Sequence, residues 1–468
     1  MESLSTSVDS SVPPRQTTGI ILLKQSRNAY CPGPMEEVMK HREIENRLLY
    51  SVFARNHSEQ GTLKEVEADL ERIRNLGTDI LWLLPVQPSG LQDRKGTDGS
   101  PYAIQDYRAI DPNQGTWEDL KSLTDKAHEL GMKVIVDVVY NHTSPDSVLV
   151  QQHPEWFFTN AEGKRSSLVE DWSDIVDLDY RQPALWDYQI ETLKQFAAVV
   201  DGFRCDVASR VPAAFWKQAR EACETVNPDM FWLAESCHLP FVKFCRDQGR
   251  VGESESALSD AAFDVLYDYD AFPDQLLVME NKAPVSQWTE ALIRQDAILP
   301  PDHIKLRYLE NHDQPRAMAC GWSGRLWKNW TALLFTLKGL PMLYHGQEQK
   351  ESHLPSIFDQ DPISWNRDPE AEDWIRYCKT VRNAFFEPGS PVLYEPDDET
   401  GSLAVDRNGC RALFQLQEKA DRIPAGLPDG EYRNLFTDRP VRIVNGTVDA
   451  AEVPLLVQDP LADERRGL

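Results

Sequence analysis

From residue 48 onward the chain alternates short, almost wholly apolar runs with longer stretches of helical period. Residues 48–54 read as a strand, and Thr62-Leu63-Lys64-Glu65 reads as a capping box opening a helix. Leu63, Val66, Leu70, Ile73 and Leu76 would line one face of that helix, and Gly77 would end it. Residues 80–84 follow as a continuous apolar strand, the pattern expected where both faces are buried. A second helix over 117–130 stops at Gly131, and a strand over 134–139 begins at once. Further strands are predicted at 202–205, 230–234, 263–267, 304–309 and 341–344. Alternation of this kind predicts a parallel sheet, and eight repeats favour a closed (β/α)8 TIM barrel over an open sheet.

The repeat breaks once and then ends. Residues 143–180 are rich in Pro, Ser, Asp and aromatics with little helical period, so they read as an insertion projecting from the third strand over the barrel mouth. Past about residue 386, apolar alternation flanks Asn408-Gly409 and precedes Asn445-Gly446, both hairpin signals. The expected organisation is an N-terminal extension (1–43), a barrel (44–142 and 181–385), the short inserted domain B (143–180) and a C-terminal antiparallel β-sandwich (386–468). The last is expected to pack against the barrel and not to bind substrate.

Composition narrows the partners. With 468 residues and 41% hydrophobic positions the chain can bury a large core. No apolar run approaches the ~20 residues that span a bilayer, and residues 1–30 lack the basic cluster and apolar core of a secretion signal. A net charge of −26 excludes nucleic acid as a partner, since phosphate contacts need clustered Lys and Arg, whereas a neutral sugar is not repelled. The eight cysteines are scattered without a C-x-x-C pair, which suits reduced thiols and a cytoplasmic location.

Chemistry concentrates at strand ends. Asp206, Glu235 and Asp313 each close an apolar run of the barrel pattern, so all three would converge on one mouth. Acetal hydrolysis needs a proton for the leaving oxygen and a carboxylate to meet the oxocarbenium-like centre. Asp206 suits the nucleophile because Arg204, two residues earlier on the same strand face, would hold it ionised. Glu235 suits the acid/base, with Phe231 and Trp232 expected to supply apolar surroundings. Asp313 would bind sugar hydroxyls, with His142 and His312 as neutral donors. Asp137, inside a strand, is expected to orient Arg204 or a backbone group, while Trp82 and Phe203 read as core.

These motifs make the chain resemble the α-amylase superfamily, glycoside hydrolase family 13. Asp137-Val138-Val139-Tyr140-Asn141-His142, Gly202-Phe203-Arg204-Cys205-Asp206, Ala234-Glu235 and Glu310-Asn311-His312-Asp313 are similar to its third-, fourth-, fifth- and seventh-strand motifs in order. Residues 175–179 resemble its domain B motif and 339–348 its eighth-strand pattern. The resemblance implies a retaining enzyme cleaving α-1,4 links of maltooligosaccharides or starch dextrins, with an α-glucosidase or 4-α-glucanotransferase as the nearest alternative. A non-catalytic sugar-binding barrel would be expected to have lost these carboxylates. The resemblance also implies that Tyr102 stacks under the sugar at the cleavage point. It offers Asn141 and Asp177 as calcium ligands. The family's Lys-His pair after the nucleophile, which the resemblance associates with the acceptor-side sugar and, through the His carbonyl, with a calcium site, is replaced here by Ser209-Arg210.

Overall fold

Eight parallel strands ring one axis in the computed structural model, which describes residues 43–462 apart from residue 161. Nearly all of the expected N-terminal extension lies outside the described residues. The barrel strands are β1 (Leu49–Val52), β2 (Ile80–Leu83), β3 (Lys133–Val138), β4 (Gly202–Cys205), β5 (Phe231–Ala234), β6 (Val265–Leu266), β7 (Leu306–Arg307) and β8 (Leu340–Tyr344). Each pairs in parallel with its sequence neighbours, β8 returns to β1, and a bridge between Leu266 and Lys305 joins β6 to β7.

Period-two alternation sorts the strand residues into two buried layers. Leu49, Trp82, Ile135, Leu233, Leu306 and Met342 fill the barrel interior. Tyr50, Leu81, Val134, Phe203 and Trp232 belong to the larger layer beneath the helices. Every strand is therefore covered on both faces, which is why its sequence reads as an unbroken apolar run. At Gly202 even a Cβ would lie 2.2 Å from the Phe231 carbonyl oxygen, so close strand packing there demands glycine.

Several expectations are corrected in detail. The first helix is two segments, Leu63–Ala68 and Leu70–Asn75, interrupted at Asp69. The Thr62 side chain accepts from the Glu65 N–H, but the reciprocal bond of a capping box forms at Thr116 and Asp119 instead. Strands β6 and β7 have two residues each, shorter than their apolar runs suggested.

Between β3 and β4 the chain leaves the barrel. His142–Thr143 pairs antiparallel with Val176–Asp177, and this small ribbon carries the inserted lobe. Beyond the barrel, Val392–Asp397, Ser402–Arg407, Cys410–Gln415 and Leu455–Gln458 form an antiparallel sheet. Asn408 and Gly409 both have positive φ, as do Asn445 and Gly446, the geometry a type I′ hairpin turn requires. This region packs on the helix Gly324–Thr336: Trp330 Nε1 donates to the Leu416 carbonyl, and Asn329 Oδ1 accepts from the Gln415 N–H at 3.0 Å.

Candidate active site

Parallel pairing sets Asp137 of β3 opposite Arg204 of β4. Both face the barrel interior, and neither side chain is exposed to solvent. Arg204 Nη1 lies 2.9 Å from Asp137 Oδ1 and 2.9 Å from Asp206 Oδ1, while Nη2 lies 2.9 Å from Glu235 Oε1. One guanidinium thus holds three carboxylates at the C-terminal ends of β3, β4 and β5. Trp82, Tyr102 and Tyr267 surround it, their ring centres 5.3, 5.6 and 5.3 Å from its carbon. Such an apolar cage strengthens every ion pair inside it.

The carboxylates are not equivalent. Burial and the facing Glu235 push the Asp206 carboxyl well above its ordinary range, with Arg204 pulling the other way. Glu235 sits in polar surroundings, contrary to expectation: Oε2 accepts the Val207 N–H at 2.6 Å, in addition to the Arg204 contact. Trp232, expected beside it, points outward against Phe203 and Trp216. Val207 has φ 35° and ψ 47°, a left-handed conformation that is costly for a β-branched residue and aims its N–H at Glu235. Asp313 stands at the mouth with its side chain 39% exposed, 3.1 Å from His312 Nε2. Burial opposes ionisation of Asp313, but His312 and Arg204 hold it below the usual carboxyl range.

The sugar-contact candidates fall into the same cleft. Tyr102 Oη donates to Asp137 Oδ2 at 3.1 Å and lies 2.7 Å from His312 Nε2, with the two rings stacked. His142 Nε2 is 3.9 Å from Asp206 Oδ2. Burial and the nearby Arg210 charge lower His142 to about 3, so it is neutral at working pH, as expected. Sequence reasoning missed Tyr267 and Tyr269. They follow a strand of only two residues, on a turn fixed by the buried Lys305, whose Nζ donates to Tyr267 O and Asp270 Oδ1 at 2.8 Å each. A Tyr-x-Tyr pair at the end of a predicted barrel strand was the available signal.

A family model for the α-amylase catalytic domain matches residues 48–383, and one for the bacterial α-amylase C-terminal domain matches residues 394–457. The chain belongs to the α-amylase family. It is an enzyme of that glycoside hydrolase fold, with the (β/α)8 barrel and C-terminal antiparallel sheets of its relatives. A crystal structure of an α-amylase from Lactobacillus plantarum is 43% identical, covers 89% of this chain and 99% of that one, and superposes with a TM-score of 0.84. A maltogenic α-amylase from Thermotoga neapolitana is 31% identical over 88% of this chain and 98% of its own, with a TM-score of 0.76. Alpha-amylase MalA of Haloarcula japonica is 26% identical over 87% of this chain, which spans 62% of that protein's length.

Asn141 and Asp177, the residues offered for calcium in this α-amylase-family chain, do lie together; one Asp177 oxygen is engaged and the other, Oδ1, is buried without a hydrogen-bond partner. Asp177 Oδ2 takes an ion pair from Arg210 Nη2 at 2.7 Å and the Leu168 N–H at 2.9 Å, with both charged side chains buried. The Asn141 amide is 3.0 Å from His142 Nδ1. The lining of the adjoining cavity of about 160 Å³ includes Arg181, Arg210 and Arg250 against Asp177 and Asp179. Calcium requires six to eight oxygens, and guanidinium groups outnumber carboxylates here. The Arg210 ion pair and the neighbouring guanidinium groups oppose a divalent cation at this donor set.

Proposed function

We propose that this enzyme hydrolyses α-1,4-glucosidic bonds of maltooligosaccharides and starch dextrins with retention of configuration. The observation that carries the reading is the Arg204 guanidinium shared by Asp137, Asp206 and Glu235 in an aromatic cage. The Glu235 carboxylic acid gives its proton to the interglycosidic oxygen. As that C1–O bond breaks, Asp206 Oδ bonds to C1 and forms the glycosyl-enzyme. Glu235, now a carboxylate, takes a proton from water, whose oxygen attacks C1 and frees Asp206. Asp313 binds sugar hydroxyls and favours the distorted ring, with Tyr102 stacked beneath it. His142 and His312 donate to hydroxyls near the broken bond. The seven cysteines of the described residues are all unpaired, which supports a cytoplasmic location.

Product analysis with maltoheptaose tests this reading. Short maltooligosaccharides appearing first as the α-anomer are expected. First-formed β-anomer, or no cleavage at all, would overturn it. A glucanotransferase would instead build chains longer than the substrate, and glucose alone would indicate an α-glucosidase.

A further inference from the structure

The cavity at the root of the inserted lobe opposes a cation, and its polar atoms suit a ligand of the opposite charge. It is bounded by Phe158, Asp177, Asp179 and Arg181 from the lobe and its return, by Arg210 after β4, and by Arg250 after the helix Leu239–Asp247. None of Asp206, Glu235 and Asp313 lines it. A single water needs roughly 10–15 Å³. At about 160 Å³ the cavity has room for a tetrahedral oxyanion.

Two of the three guanidinium groups are matched by a carboxylate and one is not. Arg181 forks onto Asp179, Nε to Oδ1 at 2.8 Å and Nη2 to Oδ2 at 2.6 Å. Arg210 Nη2 takes Asp177 Oδ2 at 2.7 Å. Arg250 forms no ion pair among the described residues. Its guanidinium carbon rests 3.3 Å from the centre of the Phe158 ring, which Arg181 also covers at 5.0 Å. Three guanidinium groups against two carboxylates leave one positive charge uncompensated. Burial lowers Arg250 from its ordinary pKa, and Arg210 and Arg181 add repulsion that Asp177 and Asp179 oppose. Nη1 of Arg210, Nη1 of Arg250 and Oδ1 of Asp177 are each buried without a hydrogen-bond partner among the described residues. The Arg210 side chain is only 3% exposed, so bulk solvent does not serve it.

We infer that this cavity binds inorganic phosphate, which ties the inserted lobe to the barrel. Ionised phosphate oxygens accept from Arg210 and Arg250, where charge-assisted hydrogen bonds are strong. At neutral pH inorganic phosphate also keeps a P–OH. That group donates to Asp177 Oδ1, a buried acceptor that is costly to leave unmatched. Sulfate has the same shape and no proton, so its oxygens would confront the Asp177 carboxylate. Because Asp177 and Phe158 belong to the lobe and Arg210 and Arg250 to barrel loops, one anion joins both.

Isothermal titration calorimetry of the full chain at neutral pH, with ionic strength held by NaCl, tests the site. Inorganic phosphate should bind saturably, and sulfate at least roughly ten-fold more weakly. Glucose 1-phosphate, mostly a dianion without a P–OH at this pH, should bind no better than sulfate. Arg250→Gln, which breaks no ion pair among the described residues, should weaken phosphate by roughly ten-fold. Its Tm in phosphate-free buffer should match that of the wild type. Phosphate should also slow limited proteolysis within residues 143–180 of the wild type, and not of Arg250→Gln. No phosphate binding, equal affinity for sulfate or glucose 1-phosphate, or unchanged affinity in Arg250→Gln would each overturn the site. Binding that leaves lobe cleavage as fast as before would overturn the tie between lobe and barrel.

Discussion

Arg204 is the residue on which the site depends, because three buried carboxylates share its charge. Its two-residue spacing from Asp206 was legible in the sequence. Its pairing with Asp137 followed from the parallel register, and its approach to Glu235 appears only once β4 and β5 are side by side. The cost of crowding falls on Asp206, whose carboxyl is raised by burial and by Glu235. A carboxyl raised in the folded state adds stability that is complete below its unfolded pKa, about 3.9, and lost as pH climbs through the folded value. Ionising the crowded Asp206 is therefore a net strain on the fold. Asp206→Asn should lower kcat at least about a thousand-fold while raising Tm. The Tm gain should be largest near pH 7 and shrink toward pH 4. A variant that loses Tm at pH 7 would show that the Arg204 pair outweighs burial.

At the scale of elements, the barrel was readable because its strands are buried on both faces and bounded by Gly77 and Gly131, each with positive φ. The short β6 and β7 were overcalled, since the apolar flanks Phe263, Tyr267, Tyr308 and Leu309 are buried without ladder pairing. The inserted lobe was legible only as an interruption. What fastens it, the Arg210–Asp177 pair, joins residues from separate segments with no shared periodicity. The guanidinium in contact with Asp177 is expected to take the place of an ion in holding the ribbon His142–Thr143/Val176–Asp177. EDTA should leave both activity and Tm unchanged, and calcium added afterwards should give no gain. Arg210→Met should strand a buried carboxylate, at a cost of about 3–5 kcal/mol. It should also open residues 143–180 to limited proteolysis. A wild-type enzyme destabilised by EDTA would mean that calcium, not Arg210, secures the lobe.

The whole molecule carries a net charge of −26, which no element alone explains. Part of its cationic charge is consumed locally. Arg204, Arg210, Lys305, Arg307, Arg316 and Arg407 are all buried and ion-paired inside the fold. Those pairs largely cancel, so most of the acidic excess is displayed toward solvent, where like charges repel across the surface and favour expansion. Salt acts on the two populations differently. The Debye length falls from about 30 Å at 0.01 M to about 10 Å at 0.1 M, which screens the exposed excess but hardly touches the buried pairs. Thermal unfolding at neutral pH should therefore rise in Tm between ~0.01 M and ~0.5 M NaCl and level off once repulsion is screened. Substituting sodium sulfate at equal ionic strength separates screening from general salting-in or salting-out, because only screening tracks ionic strength alone. A Tm that falls as salt is added would show that exposed ion pairs, not the acidic excess, dominate the surface electrostatics.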